Sequence, residues 1–358
     1  MPMTWEQGVF GMLSPNEWLS VPFTPPNIAT DPIDRLFGNE KTDNITARWN
    51  DISADQLIPA MAQFHAFDTQ ANKTVSPVLS SHMVEKGLIK VKMPQSERLQ
   101  QLRKQGVVND DDIYRYVVED AARLARQVET RTRVAKNEAL ATGQVTIGEN
   151  NLNLTIDYGI TAAQKAFTID VGVASDTPTQ IQTVIDAAAE MGVTITGMIT
   201  SKKVLTKMRS NHAIQIARHG TNSVGALLSN TDLNAYLSDE FGITEVITQD
   251  NVYNANNEII GEDGRLNVVA RRYYPVDKIT FFASTPNGRL GVGLWGDPPE
   301  VLNGMMQVSG SDVSPYVYIS QWTENDPAVL WMKASSLFIP VIYNPSTLFI
   351  ATVTETDP

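Results

Sequence analysis

Residues 291–296 read GVGLWG and fit the spacing G-x-G-x-x-G. That spacing can cradle a pyrophosphate, provided a strand precedes it and a helix opens on its last glycine. Here Asp297-Pro298-Pro299 follows at once, and two prolines cannot continue a helix interior. The stretch therefore reads as a glycine-rich turn after a strand. The four histidines, His65, His82, His212 and His219, form no H-E-x-x-H pair. His212 and His219 could share a helical face, but a metal would want a third ligand that the sequence does not offer. They read as surface histidines. Asp110, Asp111 and Asp112 suit the start of a helix, where its dipole favours acid, better than general acid–base work. No nucleophile elbow, Walker loop or Ser-x-x-Lys stands in a suitable context. No catalytic residue, cofactor or metal is expected.

A second set of candidates is cationic: Arg123, Arg126, Arg131, Arg133 and Lys136. Two readings stand. One is a solvated face neutralised by Glu119 and Glu129, with Glu119–Arg123 and Glu129–Arg133 at the favourable i,i+4 spacing. The other is a weak, sequence-blind contact with nucleic acid or with an acidic partner.

Composition narrows the classes. The chain has 358 residues, 42% of them hydrophobic, so it can bury a sizeable core and is long enough for more than one domain. It has no cysteine, which excludes disulfides, thiolate metal sites and thiol nucleophiles. A net charge of −12 lacks the basic footprint of a free nucleic-acid binder. It does not exclude a wall around nucleic acid, because an acidic wall does not stick to phosphates. No apolar run approaches the roughly 20 residues of a membrane span. MPMTWEQGVF lacks the basic-then-apolar order of a signal peptide. Use in a cytosol, or in something assembled there, is expected.

The elements that would position these residues are unusual. Residues 1–60 carry repeated prolines yet also Trp5, Phe10, Trp18, Phe23, Phe37 and Trp49. This is an extended arm that must bury its aromatics, on its own domain or on a neighbour. Residues 61–105 show two β-like segments through Val75, Val78, Leu79, Val84, Leu88, Ile89 and Val91, rich in lysine at 73, 86, 90 and 92. Such a two-stranded excursion is marginal alone and needs a partner surface. Residues 110–142 then keep one apolar face through Ile113, Val117, Ala121, Leu124, Val128, Ala135 and Ala139. Asn109 or Asp110 caps the start, and Gly143 ends the helix. The narrow, alanine-rich stripe predicts a helix lying across a sheet. A polar hairpin follows at once, with Val145 and Ile147 on one arm and Leu152, Leu154 and Ile156 on the other. Beyond it come helices and strands in alternation. Asp176-Thr177-Pro178 opens a helix, VTITGMIT and DKITFFAS read as strands, and SKKVLTKMRSN and DLNAYLSDEFGI as helices. The apolar tail SSLFIPVIYNPSTLFIATV is β-prone and predicted to return to the first sheet.

Three stretches taken in order carry a resemblance: RQVETRTRVAKNEALATGQVTIGE, YYPVDKITFFASTPNGRLGVGLWGDPPE and SSLFIPVIYNPSTLFIATV. The chain resembles the major capsid proteins of tailed phages, in particular the lambda-type capsid protein E family with its Hong Kong ninety-seven-type fold. The resemblance implies an α+β fold made of an N-terminal arm (1–60), an extended loop (61–105), a peripheral domain (106–174 and 321–358) built on a spine helix (110–142), and an axial domain (175–320). It implies a head protein that assembles through hexamers and pentamers into an icosahedral shell around double-stranded DNA, without catalysis. Implied partners are other copies, a scaffolding protein, a portal protein and a decoration protein, with no membrane. The start at Met1 with an aromatic arm predicts a separate scaffolding protein. The interface residues expected are Trp5, Trp18, Trp49, Val84, Leu88 and Ile89. Deleting residues 1–50 is expected to leave a soluble fold that cannot close shells. Two alternatives stay open: an encapsulin-like compartment, and a soluble α/β nucleotide-binding enzyme using Gly291, Gly293 and Gly296.

Overall fold

The computed structural model describes residues 31–52, 58, 61, 79–95, 110–149, 152–221, 224–255, 268–283, 288–302, 316–325 and 328–356. Trp5, Trp18, Lys73, His65, Asn109 and the side chains of Asp110–Asp112 lie outside the described residues. Strands β1 (Phe37–Lys41), β2 (Thr46–Ile52), β3 (Leu79–Glu85) and β4 (Gly87–Gln95) precede the spine helix Asp110–Thr142. The hairpin β5 (Gln144–Glu149) and β6 (Leu152–Asp157) and strand β7 (Phe167–Asp170) follow. Then come helix Thr177–Glu190, β8 (Gly197–Thr200), helices Lys202–Ser210, His212–His219 and Asn230–Phe241, and β9 (Glu245–Thr248). The chain continues through β10 (Val252–Asn254), β11 (Ala270–Arg272), β12 (Lys278–Phe282), β13 (Gly291–Gly296), β14 (Tyr318–Asn325), β15 (Ala328–Ile342) and β16 (Leu348–Thr354).

The spine helix occupies the predicted span, 33 residues, or about 50 Å at 1.5 Å per residue. Ala121, Leu124, Val128, Ala135 and Ala139 are buried on its inner face. Small alanines let the helix settle close onto β15 and β4. Gly143 ends it with φ 72°, a left-handed conformation that glycine adopts without strain. Its N–H donates to the carbonyl of Ala139 at 2.9 Å. The chain then reverses into the hairpin, which side-chain contacts hold to the helix. The Thr146 N–H donates to Glu138 Oε1 at 3.0 Å, and Arg131 pairs with Glu149 at 3.2 Å.

The first sheet has β15 as its hub. β4 pairs antiparallel along one edge of β15, while β13 and β14 share the other edge, and β1 adds parallel to β13. Two expectations change here. GVGLWG is not a turn after a strand but the strand itself, buried throughout and paired on both edges. The two segments within 61–105 are not partners of each other. β3 pairs with β2 into a separate two-stranded ribbon, and β4 joins the first sheet.

The second sheet runs β7-β16-β12-β8-β9. β7, β16, β8 and β9 share one direction and β12 opposes them. The tail therefore divides: β15 returns to the first sheet as predicted, and β16 enters the second. Strands of this sheet are apolar on both faces because both are covered. Ile199, Phe282, Leu348 and Ile350 point into the core beneath the spine helix. Their neighbours Met198, Phe281, Phe349 and Ala351 point into a second core under the four helices between 177 and 241. Thr280 Oγ1 donates to the Leu140 carbonyl at 2.7 Å and ties sheet to spine.

Residues 31–41 do not behave as part of a free arm. Asp31 caps a 3-10 turn at Pro32–Leu36, its side chain accepting from the Ile33 N–H. Ile33, Leu36 and Phe37 are buried. A deletion of 1–50 would remove this wedge and β1 together, so a truncation that spares the fold must stop near residue 30.

Candidate functional site

The ribbon β2–β3 pairs from Thr46 with Glu85 to Ile52 with Leu79 and, among the described residues, joins no other sheet. Trp49 stacks on His82 across the strands at 5.4 Å and 15°, and its ring lies 6.1 Å from that of Tyr158. Trp49, Val84 and Ile89 pack against the first core. Leu88, by contrast, is 41% exposed, and sequence reasoning missed Ile45 and Met83, exposed by 54% and 61%. An alternating strand gives this signal only once its inner face is known.

The root of the ribbon is locked by Lys86, which belongs by sequence among the lysines of an exposed loop but is 3% exposed. Its ammonium donates to Thr42 O at 2.8 Å, Thr42 Oγ1 at 2.6 Å and Trp295 O at 2.9 Å. All three donors are satisfied, the condition for burying a lysine. Burial pushes its pKa down, against the pull of Asp297 and Asp43. Beside it Lys41 pairs with Asp297 at 2.8 Å.

The spine cations are mostly turned inward. Lys136 is 3% exposed and meets Asp34 at 3.0 Å; Arg133 meets the same carboxylate at 3.0 Å. Both are held on Asp34 rather than standing unpaired on a solvated face. Arg133 takes Asp34 in the place of the expected Glu129, because the 3-10 turn packs against the helix there. Arg123 is exposed and sits 3.6 Å from Asp120, on its own helix. Arg131 serves the hairpin. Arg126 is partly buried, and burial pushes its pKa down. Burial also lifts the Glu129 carboxyl to about 7, against the opposing pull of Arg133.

Next to this cluster lies a buried polar joint that the sequence did not signal. Asn137 Nδ2 donates to Asp31 Oδ2 at 3.1 Å, and Gln249 Nε2 donates to Asp31 Oδ1 at 2.6 Å. Asp31, Asn137 and Gln249 are at most 2% exposed. They link the end of the arm, the spine and the strand end after β9. Burial raises the Asp31 pKa, while hydrogen bonds from the Ile33 N–H and Asn137 oppose that rise.

The glycines of β13 leave no room for a phosphate. A Cβ on Gly291 would lie 2.2 Å from the Val341 carbonyl oxygen, and one on Gly293 would lie 2.8 Å from the Phe338 ring. They are small because neighbouring strands and rings fill the space. Of the histidines, His82 stacks on Trp49, His212 begins a helix, and His219 lies 4.0 Å from Asp232. Among the described residues no group of three or more His, Asp or Glu is placed to hold a metal. No described helix is long and apolar enough to cross a membrane.

The family model described as phage major capsid protein E matches residues 60–353, well over half of the chain. No curated protein matches the sequence. A phage-related protein from Bordetella bronchiseptica RB50 shares 10% identity and a TM-score of 0.52, over 91% of this chain and 93% of its own. Mycobacterium phage Adephagia gives 11% identity and 0.49, over 92% and 93%. The capsid of Myoviridae phage XM1 gives 11% identity and 0.47, over 93% and 95%. At such identities the likeness is one of fold, and of the three only the Bordetella structure bears on it. The family match, the spine helix lying across its sheet and the separate ribbon agree: the chain belongs to the phage major capsid protein E family and is a structural protein of a phage capsid.

Proposed function

We propose that this capsid protein assembles through hexamers and pentamers into an icosahedral shell that encloses the phage's double-stranded DNA. It is made in the host cytoplasm, with a scaffolding protein, a portal protein and a decoration protein as partners, and performs no catalysis. The ribbon β2–β3 acts as the extended loop, and residues 1–30 as the arm. The spine with the first sheet forms the peripheral domain, and the four helices with the second sheet form the axial domain. Contact with DNA is weak and sequence-blind.

The observation that supports this reading best is the ribbon. It is anchored at its root by buried Lys86 and packs one face on the first core through Ala47, Trp49 and Val84, yet it presents Met83 outward, with Ile45 and Leu88 exposed beside its root. A two-stranded ribbon of this kind is marginal in water and gains by lying on another surface. Truncating an interface anchor costs over about 1 kcal/mol per contact, multiplied over every copy in a shell. The test is Met83→Asp with Leu88→Asp, examined by electron microscopy and sedimentation. The variant is expected to fold but form no closed shells. Shells at wild-type yield would defeat the proposal.

A further inference from the structure

The second sheet meets the spine helix through an apolar face. Ile199, Ile247, Leu348 and Ile350 share one core with Leu124, Val128 and Leu140 of the helix. Apolar burial is non-directional, so this contact alone leaves the angle between helix and sheet loosely set. Hydrogen bonds are directional, and several join the two between Thr130 and Leu140. Thr280 Oγ1 donates to the Leu140 carbonyl, and Tyr273 bonds the Thr130 side chain. Between these points lies Asn137.

The 3-10 turn Pro32–Leu36 stands between the two bodies and bonds to both. Its apolar residues Ile33 and Leu36 enter the first core. Asp34 takes Arg133 and Lys136 of the spine, while Arg35 pairs with Glu245 at the start of β9. Asp31, the cap of the turn, reaches both sides at once. Its Oδ2 accepts from Asn137 Nδ2 on the spine, and its Oδ1 accepts from Gln249 Nε2 just past β9 and from the Ile33 N–H. Gln249 Nε2 also donates to Asn137 Oδ1 at 3.2 Å, which closes a triangle of side chains. Asn137 is held in turn by the Arg133 carbonyl, and Gln249 accepts from the Asn251 N–H.

A buried polar triangle is a weak source of stability, because desolvation offsets most of its gain; its best-attested use is to fix register. Register matters here because the spine is a long lever that lies on the first sheet. From Asn137 back to Asp110 the helix runs about 40 Å, so a tilt of about 5° at the joint moves its far end by about 3–4 Å. The first sheet moves with it. Heterologous contacts between copies close only when the rotation between them is right, and otherwise propagate as open filaments.

We propose that the turn is an angle-setting pin for assembly. Asp31 with Asn137 and Gln249, flanked by Asp34 and Arg35, fixes how the spine and first sheet stand on the second sheet. That angle decides whether contacts between copies close into a shell. The inference rests on the shell-forming function proposed above. Asp31, Asn137 and Gln249 are positioning residues: a merely stabilising role would tie any assembly defect to lost stability, whereas a pin separates the two.

The test pairs electron microscopy of assembled full-length protein with thermal unfolding of the unassembled chain. Asp31→Asn keeps the shape and the cap of the turn, and changes only the side toward Asn137 from acceptor to donor. It should still unfold cooperatively, yet lower the yield of closed shells of wild-type diameter by about half or more, in favour of tubes, open sheets and mixed diameters. Asp31→Asn with Asn137→Asp lets donor meet acceptor again and should restore uniform shells. Val184→Ala opens a cavity in the second core, away from the joint. It should lower the unfolding midpoint and leave shell diameter unchanged. Should Asp31→Asn fail to fold, Arg35→Ala takes its place, because it removes an exposed contact to β9; it should broaden the diameters. Uniform shells of wild-type diameter from Asp31→Asn, or from Arg35→Ala in its place, overturn the proposal. So does a double variant no better than Asp31→Asn, and so do mixed assemblies from Val184→Ala. A wild-type chain that forms no shell overturns the functional reading itself, and the pin with it.

Discussion

The spine helix and helix Lys202–Ser210 are both rich in cations, and they use them in opposite ways. On the spine, Arg133 and Lys136 converge on Asp34, with Lys136 3% exposed. They fasten the 3-10 turn at Pro32–Leu36 to the spine helix. On the shorter helix Lys202 and Lys203 are exposed at the first turn, on the rim of a groove. A buried ion pair is costly to break because one partner is left charged and unsolvated. An exposed cation, even one paired as Lys203 is with Glu355, contributes little to its own fold. In this chain, burial separates cations that hold the subunit together from cations that face outward.

The sharpest way to break the comparison is Asp34→Ala. It strands Arg133 and Lys136 without their carboxylate and should cost about 3–5 kcal/mol in denaturant unfolding of the unassembled chain. A loss under about 1 kcal/mol would mean that the spine cations are solvated after all. Gly291→Ala should cost about 1–3 kcal/mol, because its Cβ would meet a backbone oxygen that cannot rotate away. The same measurement in the presence of a nucleotide should show no shift.

Glu129 gives a smaller, pH-dependent effect. Its folded pKa of about 7 lies above the ordinary 4.5. The folded chain therefore holds a proton that the unfolded chain releases, and the stabilisation is complete below about 4.5 and lost as pH rises through about 7. Glu129→Gln should stabilise the chain by about 1–2 kcal/mol at pH 8 and leave it nearly unchanged at pH 4, after allowing for partial exposure. A variant with the wild-type slope between those pH values would place the titration elsewhere. The smallest effect on stability belongs to Lys202→Glu with Lys203→Glu, within about 0.5 kcal/mol. A larger loss would show that those lysines, too, serve their own fold.

What the sequence revealed follows the range of the interactions. The spine helix is set by contacts three and four residues apart, so its stripe and its glycine stop fixed both ends. The hairpin is equally local: its alternation and turn are complete within fourteen residues, Gln144 to Asp157. The ribbon is not local. Thr46 meets Glu85 across a long intervening segment, and nothing in the alternation of β3 favours β2 over β4. The glycines of β13 resemble a nucleotide motif because close packing and phosphate binding both require a missing side chain. Only the neighbours, Val341 and Phe338, distinguish the two. Lys86 and Lys136 are as inconspicuous in sequence as any surface lysine. Their burial depends on Thr42, Trp295 and Asp34, all distant along the chain.

The most direct test of the central claim is electron microscopy of the purified full-length protein, with sedimentation velocity beside it and a scaffolding protein added where the chain alone stays small. Closed icosahedral shells, or hexamers and pentamers that become shells on that addition, are the predicted result. A stable monomer or dimer that never assembles would contradict it.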